Sequence, residues 1–554
     1  MKRRSVVLST MLVAMTLLAA CGSGGSDSGG TVAKKNAKGI YSPTLTITAG
    51  KQTDENTGKY PKGGDINNNP MIDLGVKELG IKIKTTLLGG DAPNYNTKLR
   101  LALTGASKLP DVIPMYDKQA MSDFIDSGKV KEISSDIKNY MPARMKKELD
   151  KYPQTYNPVK RDGKIYGFAI SPDIVPAEVM FIRQDWLDKL GLKAPTNLAE
   201  FGKVIQAFTD NDPDGNGKKD TYGFTYSGQD IYSTGWVSDP VMLFSANAGK
   251  NFPGNWSKQS DGQIAYGSIA EGNKKTLETM ADWHKKGYLF QEAAATDAWT
   301  AMGEFIKGKA GIFVGQAWAM NTINDLLKTN KNARVSAVAT IRQDNGEPAY
   351  QAGGNNTGYL MFNKDFKNMK AFFDYLNWVY DYAYGTGNFK YGYMKGYDYD
   401  IVDGKPQYDP SKYNTPTTKP FQPNKVVVTK NPPSVDQNKV VYEVTTGARE
   451  PFNALTFRAK QLMNMDPAQA KANVIAYQEQ LRNELVVNVF NGAPTKTMAQ
   501  KWGQLATLEK QTYTNIIYGK APLSSFDTFV KEWKKQGGDQ VTKEVNDWYK
   551  SVNK

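Results

Sequence analysis

The chain contains a single cysteine, Cys21, and a single histidine, His284, among its 554 residues. With one cysteine it can form no internal disulfide, so the disulfide-rich scaffolds are excluded. Metal sites built from several histidines or cysteines, such as zinc fingers, are excluded as well. A Ser-His-Asp or Cys-His hydrolase would have only His284 as its imidazole base. The fold must therefore rest on a hydrophobic core, for which 40% hydrophobic residues are sufficient, and the common enzyme classes are disfavoured.

The first thirty residues have the layout of an export signal. Three basic residues at positions 2–4 precede an apolar run that is too short to span a bilayer as a permanent helix. Small residues follow directly before Cys21, and the stretch after it is rich in glycine and serine, as flexible tethers are. The sequence therefore predicts a signal peptide over residues 1–20 and an exported mature chain.

The segment Leu18-Ala19-Ala20-Cys21 resembles the lipobox of bacterial lipoproteins. The resemblance implies cleavage before Cys21 and a diacylglycerol on its sulfur. Two acyl chains anchor a protein stably, because each buried methylene contributes about 0.8 kcal/mol. Residues 21–43 would then be the lipidated cysteine and its flexible tether, with the rest of the protein on the extracellular face of the cell membrane. The alternative is an ordinary secretory signal in which Cys21 is incidental.

The charge distribution is typical of a solvated surface. Seventy basic and 56 acidic residues give a formal net charge of +14, and they are spread fairly evenly along the chain. No long basic run marks a nucleic-acid face, so we expect no nucleic-acid partner. No second apolar stretch reaches the length that a transmembrane helix needs.

Strand and helix patterns alternate after the tether. Residues 45–50 and 81–87 alternate between apolar and polar side chains, a helical pattern separates them, and a second helical pattern precedes the apolar run 109–116. This order is typical of a parallel sheet covered by helices, in which ligands bind at the carboxyl ends of the strands. The candidate contacts that follow these strands are Lys51, Tyr116 and Asp117.

Several longer segments carry a family resemblance. Residues 162–224 include DGKIYGFA, MFIRQDWLDKLGLKAPTNLAEFGKVIQAF and TDNDPDGNGKKDTYGF, and WHKKGYL (283–289), EFIKGKAGIFVGQAW (304–318) and a final stretch over 516–551 follow. Together they resemble the bacterial extracellular solute-binding family 1, whose lipoproteins deliver substrates to ABC importers. The resemblance covers most of the chain from about residue 44. The long Gram-positive branch, which includes proteins of oligosaccharide uptake, is the most similar.

This resemblance implies an α/β fold of the periplasmic-binding-protein type II, with two lobes and a ligand cleft between them. Lobe one would comprise residues 44–165 plus 340–404, and lobe two residues 170–335 plus 408–554. The resemblance implies that the protein captures a carbohydrate, specifically an oligosaccharide, when its lobes close. It would then deliver this ligand to the permease subunits of an ABC importer. Such a receptor acts as a monomer and is not an enzyme.

Residues 212–220 place oxygen atoms at the spacing of a calcium loop, and glycine stands at position 6, where the sharp turn requires it. The candidate ligands are the side chains of Asp212, Asp214, Asn216 and Asp220 and the backbone carbonyl of Lys218. The usual bidentate glutamate at position 12 is replaced by Gly223. Some members of the resembled family hold a structural calcium here, with an acidic residue where Thr221 stands. We therefore predict a structural Ca2+ site, the alternative being a polar turn without metal.

Aromatic residues make up 11% of the chain, and a sugar site requires aromatic faces beside polar groups that fix orientation. Trp318 follows the predicted strand 310–314, where family members often place a stacking ring. Trp236 and Asp239 lie in a loop after a strand that ends at Phe224. Tyr393 lies in a tyrosine-rich segment resembling a family signature that usually carries a glutamate, for which its ring could substitute. Core packing is the alternative for each of these aromatic residues.

Two other function classes remain open from the sequence. A secreted glycoside hydrolase needs only two carboxylates, and acidic residues are abundant, although no pair of them is marked by the sequence. A ligand-sensing surface lipoprotein would bind a solute without feeding a transporter. Sugar release on incubation would identify the hydrolase, and neighbouring permease genes would separate transport from sensing.

Overall fold

The computed structural model describes residues 32–52, 60, 63–90, 92–170, 178–229, 232–343, 345–347, 351–353, 358–384, 386–391, 395, 399–407, 428, 437–448, 463, 467–481 and 485–553. The predicted signal peptide, Cys21 and Tyr393 lie outside the described residues.

The described strands and helices alternate along much of the chain. The strands are β1 (Leu45–Gln52), β2 (Ile81–Gly89), β3 (Val112–Met115), β4 (Lys160–Arg161), β5 (Lys164–Ile165), β6 (Gly167–Ala169), β7 (Glu178–Arg183), β8 (Tyr222–Phe224), β9 (Trp256–Lys258), β10 (Ile264–Tyr266), β11 (Ala310–Gln316), β12 (Val335–Val338), β13 (Gln351–Gly353), β14 (Tyr359–Phe362), β15 (Asp400–Val402), β16 (Lys405–Gln407) and β17 (Leu485–Val487). The helices are α1 (Pro70–Leu79), α2 (Ala92–Leu103), α3 (Lys118–Asp126), α4 (Ser134–Tyr140), α5 (Ala143–Asp150), α6 (Gln184–Lys189), α7 (Leu198–Asp210), α8 (Val241–Ala248), α9 (Glu271–Lys285), α10 (Ala298–Ile306), α11 (Met320–Thr329), α12 (Met369–Tyr384), α13 (Gln437–Thr445), α14 (Pro467–Leu481), α15 (Lys496–Ile517), α16 (Ser525–Trp533) and α17 (Asp539–Val552).

Polar side chains begin several of these helices, because the first amides of a helix have no partner within it. Asn69 accepts hydrogen bonds from the amides of Met71 and Ile72 at the start of α1. Asn197 likewise accepts a hydrogen bond from the Glu200 amide at the start of α7.

The two main sheets both mix parallel and antiparallel strands. The first has the order β2-β1-β3-β14-β6, with β1, β2 and β3 parallel and β14 antiparallel to β3 and β6. The second has the order β12-β7-β11-β8, with β7 antiparallel to β11 and β12. The predicted parallel sheet is thus present in β1 to β3, whereas β14 enters the first sheet against the direction of its neighbours.

Each main sheet has its own hydrophobic core. The core around the first sheet is drawn from residues 41–170 and 359–428, and that around the second from residues 179–341 and 472–545. Side chains such as Ile47 and Phe181 are fully buried. Burial of such a side chain contributes about 1.5–3 kcal/mol, so each sheet is stabilised within its own lobe. The molecule is therefore a two-lobed α/β protein, as the resemblance to the binding-protein type II fold implies.

Two of the three crossings between the lobes run between strand ends that the structure describes. The chain leaves the first sheet at the carboxyl end of β6 and enters the second at Glu178, which pairs with Gln316 at the carboxyl end of β11. It returns from the end of β12 to Tyr359, which pairs with Met115 at the carboxyl end of β3. Both connections therefore join the edges at which the parallel strands end, and these edges border the cleft between the lobes.

Candidate functional site

Three tryptophans form a cluster at the carboxyl edge of the second sheet. Trp318 and Trp236 lie nearly parallel, with ring centroids 6.3 Å apart and an interplanar angle of 20°. Trp299 packs edge-on against Trp236 at 4.9 Å and lies 5.6 Å from Trp318. Trp236 and Trp318 are half-buried, whereas 53% of Trp299 is exposed. The cluster therefore lies at the edge that borders the cleft, and Trp299 is the most exposed of its three members.

The local backbone explains why two of these rings meet. The loop that carries Trp236 runs beside β11, since the Trp236 carbonyl accepts from the Gln316 amide at 2.9 Å. Trp318 lies in a 3-10 turn (Ala317–Ala319) that directly follows β11, and its Nε1 donates to Gln316 Oε1 at 2.8 Å. Trp236 and Trp318 are 82 positions apart in the sequence, and β11 brings these two predicted ligand contacts together.

The buried side chain of Asp239 stabilises the loop that carries Trp236. Its side chain is fully buried, and its two oxygens accept from the amides of Gly235 at 2.5 Å and Val241 at 2.8 Å. Burial raises the pKa of Asp239 to about 6, and the hydrogen bonds from Gly235, Val241 and Thr234 limit the rise. In this structure Asp239 shapes the loop that carries Trp236 rather than presenting a carboxylate to the cleft.

Glu178 is a second buried carboxyl at the same edge. It is the first residue of β7, pairs with Gln316 and is 3% exposed. Burial raises the pKa of Glu178 well above its ordinary value, and the nearby Asp239 raises it further. Because Asp239 accepts amide hydrogens and Glu178 is desolvated, Glu178 is the carboxyl of the pair that keeps its proton to the higher pH. In its protonated form this carboxyl can both donate and accept a hydrogen bond.

The candidate residues of lobe one occupy the opposite edge. Lys51 lies near the end of β1 and is 2% exposed. Tyr116 is half-buried and packs edge-on against Tyr95, with ring centroids 6.4 Å apart. Asp117 accepts from the Ala120 amide at 2.8 Å, so its carboxylate serves as the N-cap of α3. The structure thus places all three at the carboxyl ends of β1 and β3.

The loop over residues 212–220 precedes β8 and so lies at the sheet edge opposite the tryptophan cluster. Asp212 accepts from the amides of Gly215, Asn216 and Gly217 at 3.0–3.1 Å. Gly217 has a φ of 74°, a left-handed conformation in which glycine is not strained. Because of its position, the loop can stabilise lobe two but cannot contact a ligand in the cleft.

The oxygens of this loop do not form a coordination sphere. Among the described residues, no three His, Cys, Asp or Glu side chains are arranged to hold a metal ion. Asp220 instead pairs with Lys309 at 2.6 Å, which holds the pKa of that carboxyl below its usual range. The hydroxyl of Thr221 donates to the Phe208 carbonyl at 2.9 Å, so it points away from the loop.

The same loop nevertheless has the donor set that a hard cation requires. Asn216 Nδ2 donates to Asp214 Oδ2 at 2.8 Å and to Asp220 Oδ1 at 3.1 Å, so two carboxylates converge on one amide. Burial raises the pKa of Asp214, as do a hydrogen bond to Asp212 and the charges of Asp220 and Asp212. A divalent cation in place of the amide hydrogens would relieve this repulsion. The residues present therefore fit calcium.

Two site residues are absent from the sequence-based set. Trp299 lies at the start of α10, where Asp297 caps the helix by accepting from the Thr300 amide at 3.0 Å. Glu178 begins a strand that is otherwise apolar. A charged residue at the start of a buried strand was the available signal for Glu178, whereas no local pattern distinguishes Trp299 from an ordinary surface tryptophan.

His284, the single histidine, lies in the last turn of α9. Its ring packs against that of Tyr518 with centroids 4.2 Å apart. Within the described part of the chain, no helix combines the length and the apolar character that crossing a bilayer requires.

Comparisons with known proteins agree with this architecture. Over 499 residues the chain is 25% identical to the polygalacturonan/rhamnogalacturonan-binding protein YtcQ of Bacillus subtilis, covering 87% of this chain and 89% of that protein. It is 26% identical over 333 residues to the fructooligosaccharide ABC transporter substrate-binding protein FusA of Streptococcus pneumoniae, covering 58% of each chain.

Solved structures share the fold at lower identity. The alginate-binding protein AlgQ2 without calcium ion superimposes with a TM-score of 0.65 at 17% identity, over 93% of this chain and 100% of that one. FusA in complex with kestose gives a TM-score of 0.60 at 18% identity, over 92% and 99% of the two chains. The family model for the bacterial extracellular solute-binding protein matches residues 76–386, more than half of the sequence. With its two lobes and the crossing connections at the cleft edge, the chain therefore belongs to the bacterial extracellular solute-binding protein family.

Proposed function

We propose that this protein is the lipid-anchored extracellular receptor of an ABC importer and that it captures an oligosaccharide in the cleft between its lobes. The observation that carries the proposal is the cluster of Trp236, Trp299 and Trp318 at the cleft edge of lobe two. Sugar rings present apolar C–H faces that pack on aromatic rings. The relatives whose names include a sugar ligand, YtcQ and FusA, support a carbohydrate as the solute.

In this proposal the two lobe edges contact opposite sides of the sugar. Trp318 and Trp236 provide the stacking faces, and the buried carboxyl of Glu178 exchanges hydrogen bonds with a sugar hydroxyl. Lys51 and Tyr116 approach from lobe one. Asp117, Asp239 and Tyr393 stay predictions as ligand contacts, and the first two act here as a helix cap and a loop support.

Capture would proceed by closure of the lobes, which we place at residues 44–165 plus 340–404 and 170–335 plus 408–554, except that Ile170 and Val428 pack in the first core and Ile341 in the second. A ligand that contacts both edges binds the closed state more tightly than the open state, and this difference in affinity drives closure. The permease subunits of the transporter would then receive the solute from a monomeric receptor. No covalent chemistry on the sugar is needed.

A glycoside hydrolase is the competing function, and the buried carboxyl pair at Glu178 and Asp239 is the place to examine it. A retaining hydrolase needs a nucleophilic carboxylate that reaches the sugar. Both oxygens of Asp239 are engaged by backbone amides and its side chain is fully buried. This arrangement favours a binding protein.

The test is a thermal-shift screen of residues 31–554 against plant and bacterial oligosaccharides, with product analysis in parallel. A ligand that binds only the folded state adds about 2.7 kcal/mol of stability at one hundred times its dissociation constant. We expect a rise in melting temperature with one sugar class and no release of smaller sugars. Turnover of that sugar would replace this function by hydrolysis, and the absence of a shift with any sugar would contradict a carbohydrate ligand.

The same screen tests the loop over residues 212–220, where we propose a structural calcium ion. Calcium alone should raise the melting temperature of the wild type, because the ion would bind only the folded loop. In Asp214→Asn, which removes one of the two converging carboxylates, the rise should be at most about half as large as in the wild type. Magnesium at the same concentration is the control. Equal shifts in the wild type and the variant would contradict the site.

We further propose that Cys21 carries the lipid anchor. In cells the wild-type protein is expected in the membrane fraction and Cys21→Ser in the culture medium or as an uncleaved precursor, because stable anchoring depends on the two acyl chains. Fractionation followed by immunoblotting measures the distribution. A Cys21→Ser protein that is processed and stays with the membrane would show that another element holds it there.

A further inference from the structure

A second aromatic groove lies beside the loop that carries Trp236. It has a volume of about 550 Å³ and opens between α15, the hairpin of β9 and β10, and Ser233 at the start of that loop. Its lining includes Ser233, Gly254, Tyr266, Trp502, Thr507 and Lys510.

Packing fixes the indole of Trp502 in this groove. Its ring lies edge-on to Tyr266, with centroids 5.3 Å apart, and 6.3 Å from Trp256 at an interplanar angle of 32°. Tyr266 in turn stacks on Trp533 at 5.0 Å. Tyr266 and Trp256 are each 2% exposed, whereas Trp502 is only half-buried. A half-buried indole that neighbouring rings hold in place is a platform of the kind that sugars use.

Polar groups of the right type surround this platform. The hydroxyls of Ser233 and Thr507 and the ammonium of Lys510 line the same groove. Among the described residues Lys510 makes no ion pair, whereas Lys543 on α17 pairs with Asp547 at 2.7 Å. Aromatic faces together with a few hydrogen-bonding groups are the composition of small-molecule sites, whereas an interface core is poorer in lysine.

The groove shares a loop with the proposed ligand site. Ser233 and Trp236 are three residues apart on one loop, a span of at most about 10 Å that a few linked sugar units can cover. On the other side, Gly254 accepts from Asn488 Nδ2 at 3.3 Å, and Asn491 in the same segment donates to the Gln154 carbonyl of lobe one at 3.1 Å. The groove therefore lies on the part of lobe two that meets lobe one.

We propose that this groove is an outer subsite, in which Trp502 stacks against sugar units of a long oligosaccharide that extends from the tryptophan cluster along the loop at residues 232–239. The inference rests on the proposed carbohydrate function and adds a preference for ligand length. The tryptophan cluster binds one end of the oligosaccharide, and the groove adds contacts that a short oligosaccharide cannot reach.

The test compares trisaccharides with octasaccharides from two probe series, fragments of polygalacturonic acid and of inulin, by calorimetry on the chain from residue 21 onward. In the series that binds, the wild type should prefer the octasaccharide. Trp502→Ala should lower the octasaccharide affinity about tenfold and change the trisaccharide affinity less than about twofold. Lys510→Gln, which leaves the aromatic packing intact, should also weaken the octasaccharide alone, about threefold.

Trp548→Ala is the matched control. Trp548 is a half-buried tryptophan of the same lobe that packs edge-on against Phe490 at 4.9 Å, outside the groove. It should alter neither affinity. An unchanged octasaccharide affinity in Trp502→Ala and Lys510→Gln, or an equal loss for both lengths, would overturn the outer subsite alone. Binding of neither probe series by the wild type would overturn it together with the proposed carbohydrate ligand. If Trp502→Ala does not fold, Lys510→Gln decides.

Discussion

Replacing Trp318 by alanine is expected to weaken oligosaccharide binding by a factor of about 10–100, which corresponds to about 1.4–2.7 kcal/mol. The ring provides a stacking face for the sugar, and the variant also leaves Trp236 without its nearly parallel neighbour at 6.3 Å. Because Trp318 is only half-buried, the variant should remain folded, with a melting temperature lowered by a few degrees at most. Calorimetric titration with the sugar identified in the screen measures the loss.

Trp318→Phe separates the aromatic face from the indole N–H. Phenylalanine keeps a flat ring but cannot donate to Gln316 Oε1, as Trp318 does at 2.8 Å. We expect it to retain most of the affinity, with a loss of less than about fivefold. An affinity in Trp318→Ala equal to that of the wild type would remove the stacking role. A parallel collapse of affinity and melting temperature would show that Trp318 serves the core instead.

The stability of lobe two should fall as the pH rises, because of Glu509 on α15. This carboxyl is fully buried, and its Oε2 accepts from the Tyr266 hydroxyl at 2.9 Å. Burial raises the pKa of Glu509 from 4.5 to about 8, and hydrogen bonds from Ser268 and Tyr266 limit the rise. Between these two values the native state keeps a proton that the unfolded state releases. Stability that is fully present below pH 4.5 is therefore lost as the pH rises towards 8, by about 1.4 kcal/mol per pH unit at most.

Glu509→Gln removes this titrating proton, so it should remove the contribution of residue 509 to the pH dependence of the free energy of unfolding. The amide oxygen can still accept from Tyr266, so wild type and variant should have similar stability near pH 5. At pH 8 the variant should be more stable, by an amount on the order of 4 kcal/mol. Urea unfolding at a series of pH values measures the difference. Glu278→Gln, an exposed carboxylate on α9, is the control, and its curve should follow the wild type. A difference between Glu509→Gln and wild type that does not change with pH would contradict the buried proton.

The sequence was sufficient for the parts of the fold that depend on local pattern. The alternating residues 45–50 and 81–87 lie in the strands β1 and β2, and the run 310–314 lies in β11. The direction of β14 was not predictable, because a four-residue apolar strand carries no information about the neighbour it joins. The family resemblance supplied the two-lobed architecture, which local patterns alone could not.

The site was predictable only in part, for a physical reason. Trp236 and Trp318 could be chosen because each lies in a loop after a strand, and the carboxyl ends of parallel strands share an edge. Trp299 begins a helix, so its proximity to the other two depends on how α10 packs on the sheet. The roles of Asp117 and Asp239 likewise depend on which backbone amides lie within reach, and a sequence does not show this for a loop.

Because each sheet has a core of its own and two connections between the sheets leave from the cleft edges, the gap between the lobes and the interior of each lobe are separate targets for mutation. A substitution in a loop at a strand end changes what the gap accepts without opening a cavity in either core. A substitution inside one core lowers the stability of that lobe but leaves the recognition groups of the other in place. Proteins of this design can therefore exchange one cargo for another through a few loop residues, while the cores evolve under the constraint of packing alone.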